Sequence, residues 1–209
     1  MDLIDRLNWR YATKKFDNTK KLSQDKLQTL VQAFNLTPTS YGVQTMKLAV
    51  ISDPLIKENM VALCYGQEQV KTASHVLAIC IQDEVNEQDV DAYFDSVVKI
   101  RKTPEIILSK YRKELKDFVR SKSKTELENW CINQAYIALG NLMTACAVEA
   151  IDCCPMEGFL PKEIDKLLGL DRQNLKSVLL LPVGYRAQDD MFSQLKKVRK
   201  DLSETILYI

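Results

Sequence analysis

Two hydrophobic periods divide the chain. Leu3, Ile4 and Leu7 recur at three-to-four-residue spacing and predict a short helix ending near Arg10. Ser23 reads as the cap of a second helix with Leu27, Leu30, Val31 and Phe34 on one face. Three compact apolar runs, Met46 to Ile51, His75 to Ile81 and Ser177 to Val183, are too short for typical helices and predict strands, the last closing at Gly184. The middle run is apolar throughout, the pattern of a strand covered on both faces. Asp53-Pro54 joins an N-cap to a proline at the first helical position, so a helix follows the first strand.

Thr103-Pro104-Glu105 opens a helix carrying Ile106, Ile107, Tyr111, Leu115 and Phe118, whose Lys- and Arg-rich opposite side reads as a solvated face. Thr125 and Glu128 have capping-box spacing at the start of a long helix. From Trp130 to Ala150 this helix is apolar nearly all round, broken by Asn133, Gln134, Asn141 and Glu149, which suits a core or dimer-interface helix and not a membrane span. Pro161 to Leu168 gives a short helix ended by Gly169. Helices outnumber strands and do not alternate strictly with them, so the predicted class is α+β, one sheet with helices over it. The apolar tail Thr205 to Ile209 asks for a cover, and a partner subunit is a candidate.

The 209 residues, 46% hydrophobic with six Gly and six Pro, fit a single globular domain over 1–209. Lys plus Arg (29) and Asp plus Glu (28) cancel, which excludes a global basic field for nucleic acid or an anionic membrane. Acidic residues stand where a signal peptide would be basic, so a soluble, cytoplasmic protein is expected. Six cysteines form no CxxC pair and His75 is the only histidine, so no metal site is expected. His75 reads as a structural residue. Cys80, Cys131 and Cys146 lie in apolar runs, and Cys153-Cys154 reads as packing rather than redox chemistry.

No GxGxxG, GxxxxGK[ST] or GxSxG is present. What remains is basic clusters at the two ends, Arg10, Lys14 and Lys15 near the start and Lys196, Lys197, Arg199 and Lys200 near the finish, which read equally as plain surface; only Arg10 and Lys14, a guanidinium and an ammonium a few residues apart, have spacing that suits a phosphate clamp. The loop from Asn35 to Gly42 is rich in small hydroxyls, and Pro155-Met156-Glu157-Gly158-Phe159 forms a turn whose amides can face a ligand.

In this order, Arg10-Tyr11-Ala12-Thr13-Lys14-Lys15-Phe16-Asp17, Pro38-Thr39-Ser40 with Gln44, the segment from Gly66 to Ser74, Gly140-Asn141, the Pro155 to Phe159 turn, Pro182-Val183-Gly184 and Lys197-Val198-Arg199 resemble the nitroreductase family over nearly the whole chain. The resemblance implies a central, mainly antiparallel sheet covered by helices, a long buried core helix, and an intertwined homodimer with FMN at the subunit interface. It implies an NAD(P)H oxidoreductase working by two half-reactions, with hydride passing through flavin N5 to nitroaromatics, quinones, flavins or pteridines. Because the cofactor carries that chemistry, no catalytic side chain is required.

By the same resemblance, Arg10, Lys197 and Arg199 hold the phosphate, and Lys14 with Gln69 faces the pyrimidine edge, where a cation stabilises the reduced flavin. Tyr11, Ala12, Gly66, Gln67, Pro155, Met156, Glu157 and Gly158 line the cofactor, the last two through backbone amides. Thr39, Ser40 and Gln44 come from the other subunit, Pro38 and Gly42 also bind the cofactor, and Gln134 and Tyr136 lie nearby. Tyr41, Tyr65 and Phe118 are candidates for the acceptor pocket. The chain departs from the family at Gly42, where asparagine is frequent, at Gln69, where lysine is, and at Thr45-Met46, where Pro-Trp is. A neutral Gln69 implies a lower flavin potential than in lysine-bearing relatives. A non-enzymatic FMN-binding protein on the same scaffold and an α+β interaction protein are the other readings.

Overall fold

A computed structural model describes residues 2–209. The elements run α1 (Leu3–Trp9), α2 (Gln24–Asn35), β1 (Met46–Ile51), α3 (Pro54–Leu63), α4 (Gln69–Thr72), β2 (His75–Gln82) and α5 (Glu87–Arg101). After these come α6 (Glu105–Ser121), α7 (Lys124–Val148), β3 (Asp152–Cys153), α8 (Pro161–Leu168), β4 (Leu175–Gly184) and α9 (Leu202–Thr205). The strands form one antiparallel sheet in the order β1-β2-β4-β3.

Strand alternation sorts the core into two layers. Val76, Ala78, Cys80 and Leu180 point to the side that also buries Met60 of α3 and Ile164 of α8. Leu77, Ile79, Ile81, Leu179 and Leu181 point the other way, against Leu139, Leu142 and Cys146 of α7 and Leu30 of α2. The strand expected to be covered on both faces is covered on both. α7, the one described helix long and apolar enough to cross a bilayer, lies on this sheet. Its opposite flank stays open, with Tyr136, Ile137 and Val148 exposed and nothing within 4 Å of a Cβ placed on Gly140.

The α7 cap differs from the expected one. Ser123 has extended backbone and its hydroxyl accepts from Glu126 N, while the Glu126 carboxylate accepts from Ser123 N. Thr125 is already inside the helix, so the box is Ser123/Glu126 and not Thr125/Glu128.

α5 is not expected from the sequence; it buries Val90, Phe94 and Val97, the first two packed with Leu115 and Val119 of α6. This pairing also corrects the reading of α6. Lys110, Lys113 and Arg120 are exposed as expected, but Arg112 and Lys116 are drawn in, Arg112 bonding Asp91, Asp95 and Glu105 and Lys116 bonding Asp91, while Arg120 pairs with Glu87 at the surface. Ile106 and Ile107, expected on the buried face, are exposed at the start of α6. Likewise α1 forms where expected, yet none of its residues is buried.

The two chain ends meet beside the sheet. Asp17 N donates to Tyr185 O at 2.8 Å and Ala187 N to Lys15 O at 3.0 Å. The buried Asp152 carboxylate accepts from Arg186 Nε at 2.7 Å, and the guanidinium stacks 4.4 Å from the Trp9 ring and 4.5 Å from the Tyr11 ring. Thr13 N donates to Cys153 O at 3.2 Å, which fastens the N-terminal segment to β3.

Leu142 is fully buried between α7 and the sheet. Leu142→Ala is expected to lower stability by about 3 kcal/mol in denaturant titration, from lost burial plus a cavity. A loss below about 1 kcal/mol would mean that α7 does not pack on the sheet in this way.

Candidate functional site

The meeting of the two ends builds a cavity of about 380 Å³ between the segment Asn8 to Lys14 and the segment Phe192 to Arg199. Arg10, Lys197 and Arg199 line it, and among the described residues none of the three is in an ion pair. Arg10 Nε is buried without a partner, and Lys197 Nζ donates to Arg10 O. Burial and the neighbouring Arg10 and Arg199 charges push the Lys197 amine below its ordinary pKa. Three mutually repelling cations and an orphaned guanidinium N–H make a donor set that a phosphate dianion satisfies.

Lys14 extends from the same segment to a second cluster. Its Nζ lies 3.9 Å from Cys154 Sγ, and Gln69 Nε2 lies 3.9 Å from the same sulfur. Gln69 Nε2 also donates to Gln67 Oε1 at 3.0 Å, and Gln67 Nε2 donates to Gly158 O at 2.8 Å. A Cβ on Gly158 would meet Gln67 Nε2 at 3.1 Å and Tyr65 at 3.8 Å, so a larger residue would crowd this line. Tyr136 OH donates to Glu157 Oε1 at 2.7 Å, and this bond, followed by burial, raises the phenol pKa. Met156 is anchored by a bridge to Leu180 on β4, which fixes the Pro155 to Phe159 turn. Left-handed backbone at Tyr65 and Gly66, φ +55 and +75, turns α3 toward this cluster.

The hydroxyl loop is separate. No hydrogen bond among the described residues joins Pro38 to Gln44 with Arg10 to Lys14, Gln67 to Gln69 or Pro155 to Gly158. Ser40 N instead donates to Gln134 Oε1 at 2.8 Å, and Gln44 Nε2 to Asn35 O at 3.0 Å. Thr39 Oγ1 is buried without a partner. The loop is held left-handed at Tyr41, Gly42 and Gln44, with φ +59, +78 and +53. The Tyr41 ring packs tilted against Phe118 at 5.3 Å and Trp130 at 6.3 Å between centroids. The three acceptor-pocket candidates are therefore not together within one copy: Tyr41 and Phe118 share an aromatic cluster, while Tyr65 stands by Gly158.

The cysteines are all buried and free, and no described group of residues could hold a metal ion. Burial raises the Cys154 thiol pKa, partly offset by Lys14, so this sulfur packs under Lys14 and Gln69 as a neutral contact. His75 Nδ1 sits 2.9 Å from Ser74 Oγ in a structural contact. Sequence reasoning missed Asp190, Arg186, Asp152 and Trp130. Only Asp190 carried a local signal, an acid at the N-cap of the turn Met191–Gln194.

The profile of the nitroreductase family matches residues 7–185. The chain belongs to the nitroreductase family. Among similar nitroreductases, a "Putative NAD(P)H nitroreductase" of Staphylococcus aureus strain N315 is 31% identical over 98% of this chain and 95% of its own. One of the same description from Bacillus subtilis strain 168 is 29% identical over 90% of each chain. Two solved structures share the fold. A "putative nitroreductase" from Bacillus subtilis has TM-score 0.88 at 18% identity, covering 99% of this chain and 98% of its own. A "putative nitroreductase in complex with FMN" from Exiguobacterium sibiricum has TM-score 0.86 at 18% identity, covering 100% and 98%.

Within the nitroreductase fold, Gly42 has a local reason. A Cβ there would meet Tyr93 Cε2 at 2.9 Å, on backbone at φ +78. Gly42→Ala should cost about 2 kcal/mol, roughly half from the left-handed backbone and half from the ring. In a Tyr93→Ala background only the backbone part should remain, about 1 kcal/mol. Equal costs in both backgrounds would rule out the Tyr93 contact.

Proposed function

We propose that this nitroreductase is an FMN-dependent NAD(P)H oxidoreductase that works as a homodimer, with each flavin held between two copies. The observation that carries it is the cavity in which Arg10, Lys197 and Arg199 converge from both chain ends without a carboxylate partner. When bound, FMN supplies the redox chemistry, taking two electrons from NAD(P)H and passing them in a second half-reaction to a flat acceptor such as a nitroaromatic, quinone, flavin or pteridine.

The chain's own residues bind and tune. Arg10, Lys197 and Arg199 take the phosphate, with Tyr11 and Ala12 along the same segment. Lys14 places a fixed cation at the pyrimidine edge and favours the charge that gathers there on reduction. Gln69 adds hydrogen bonds at that edge without charge, ordered by Gln67, with Gly66 setting the turn before them. The turn of Pro155, Met156, Glu157 and Gly158 lies against the ring through its backbone, and Tyr136 keeps the Glu157 carboxylate turned aside by their hydrogen bond.

The second copy follows from what one copy leaves open. The exposed flank of α7 includes Gly140, whose missing side chain costs a helix about 1 kcal/mol and has no steric reason within the chain. A neighbouring helix approaching at Gly140 supplies one. The same approach brings Pro38, Thr39, Ser40, Gly42 and Gln44 of one copy to the flavin of the other, with Tyr41 and Phe118 beside the partner's Tyr65 as an aromatic acceptor pocket. The apolar tail, Leu207, Tyr208 and Ile209, is exposed and gains its cover there.

The test is the visible spectrum of the purified protein, with acid release of the pigment and anaerobic addition of NADPH. Released FMN, and bleaching of the holoprotein by NADPH, are expected. Bound FMN that NADPH and NADH both fail to bleach would point to a non-enzymatic flavin protein, and a colourless protein that takes up no FMN would overturn the cofactor as well.

A further inference from the structure

Asp190 is the joint between the two ends of the chain. It is 3% exposed, is in no ion pair among the described residues, and receives four donors. Oδ2 accepts from Tyr11 OH at 2.8 Å, Lys14 N at 3.0 Å and Lys15 N at 3.2 Å. Oδ1 accepts from Phe192 N at 3.1 Å and so caps the turn Met191–Gln194. One oxygen thus fixes the segment that carries Arg10 and Lys14, and the other fixes the segment that leads to Lys197 and Arg199. Lys197 Nζ then closes the ring by donating to Arg10 O. Burial works against the charged form of Asp190, but the bonds from Tyr11, Lys14, Lys15 and Phe192 outweigh it and hold its pKa below the usual carboxylate value.

We infer that Asp190 is a positioning residue for the cofactor: its carboxylate sets the register between the segment of Arg10 and Lys14 and the segment of Lys197 and Arg199, which lie nearly the whole chain length apart in sequence. The inference rests on the FMN reading above. The geometry requires both oxygens as acceptors. An asparagine offers one oxygen, so its NH2 must face either the Lys14 and Lys15 amides or the Phe192 amide, and one segment is released. The Asp190 charge itself opposes the phosphate. A role through charge alone and a role through position therefore predict opposite signs, because removing the charge by itself would strengthen phosphate binding.

The experiment titrates the flavin-free, full-length chain with FMN and with riboflavin, which has the same ring and no phosphate, and compares the two affinities. The wild type is expected to prefer FMN strongly, and a wild type that binds neither or shows no preference would sink the FMN reading instead. In Asp190→Asn the preference for FMN should fall about tenfold, as expected for losing a well-placed charge-assisted contact. A folded Asp190→Asn that keeps or increases the preference, or that loses both ligands in equal proportion, would overturn the assignment. Tyr11→Phe, which keeps the ring over Arg186 and removes one bond to Oδ2, should lower the preference about threefold. If Asp190→Asn does not fold, an unchanged preference in Tyr11→Phe overturns the assignment in its place.

Discussion

A helix that is apolar nearly all round must be buried on more than one side, and α7 imposes that constraint on everything else. One flank places Leu139, Leu142 and Cys146 on β2 and β4. Gln134 reaches off the helix to hold Ser40, and Tyr136 reaches off it to hold Glu157. The same rigid element therefore positions both parts of the candidate site, the hydroxyl loop and the Pro155 to Phe159 turn. Its remaining flank, with Tyr136, Ile137, Gly140 and Val148, is the surface on which we place the second copy.

The second requirement is that the chain ends stay together. Arg186 and Asp152 form a largely buried pair, with the guanidinium also against Trp9 and Tyr11. Such a pair adds little net stability over an apolar substitute, but losing one partner costs about 3–5 kcal/mol. Its value lies in specificity. It sets where the N-terminal segment lies on β3, and Asp190 then sets where the C-terminal segment lies on the N-terminal one. Cations from both ends are held close together because these carboxylates fix the backbone and, among the described residues, pair with none of Arg10, Lys197 and Arg199.

Much of the fold was legible because burial is periodic. The three apolar runs are β1, β2 and β4, and the caps at Ser23 and Asp53 act as read. α5 was also readable, since Val90, Phe94 and Val97 recur at helical spacing behind the Asn86/Asp89 capping box, but its acidic residues obscure the pattern. Ser123/Glu126 and Thr125/Glu128 offer the same spacing, and only backbone geometry decides between them. The pairing of Arg112 and Lys116 is not visible from α6 alone because Asp91 and Asp95 lie on α5, whose period those acidic residues hide. Spacing alone marks Arg10 and Lys14 as a candidate phosphate clamp, whereas joining Lys197 and Arg199 to them takes the family resemblance. Asp190 shows in the sequence only as an acid before a short turn, because its partners Tyr11, Lys14 and Lys15 are far away in sequence and three of its four contacts use backbone amides, which no side-chain pattern reveals.

The central claim is that each flavin site takes its phosphate cations and Lys14 from one copy and its hydroxyl loop from another. The direct measurement is flavin content in hybrid dimers made from two differently tagged chains, one carrying Arg10→Ala with Arg199→Ala, the other carrying Ser40→Trp. Each variant alone should bind no FMN. The purified hybrid should bind about one FMN per dimer, because one of its two sites inherits both intact halves. A hybrid as empty as its parents would contradict the shared site and return the whole flavin site to a single chain.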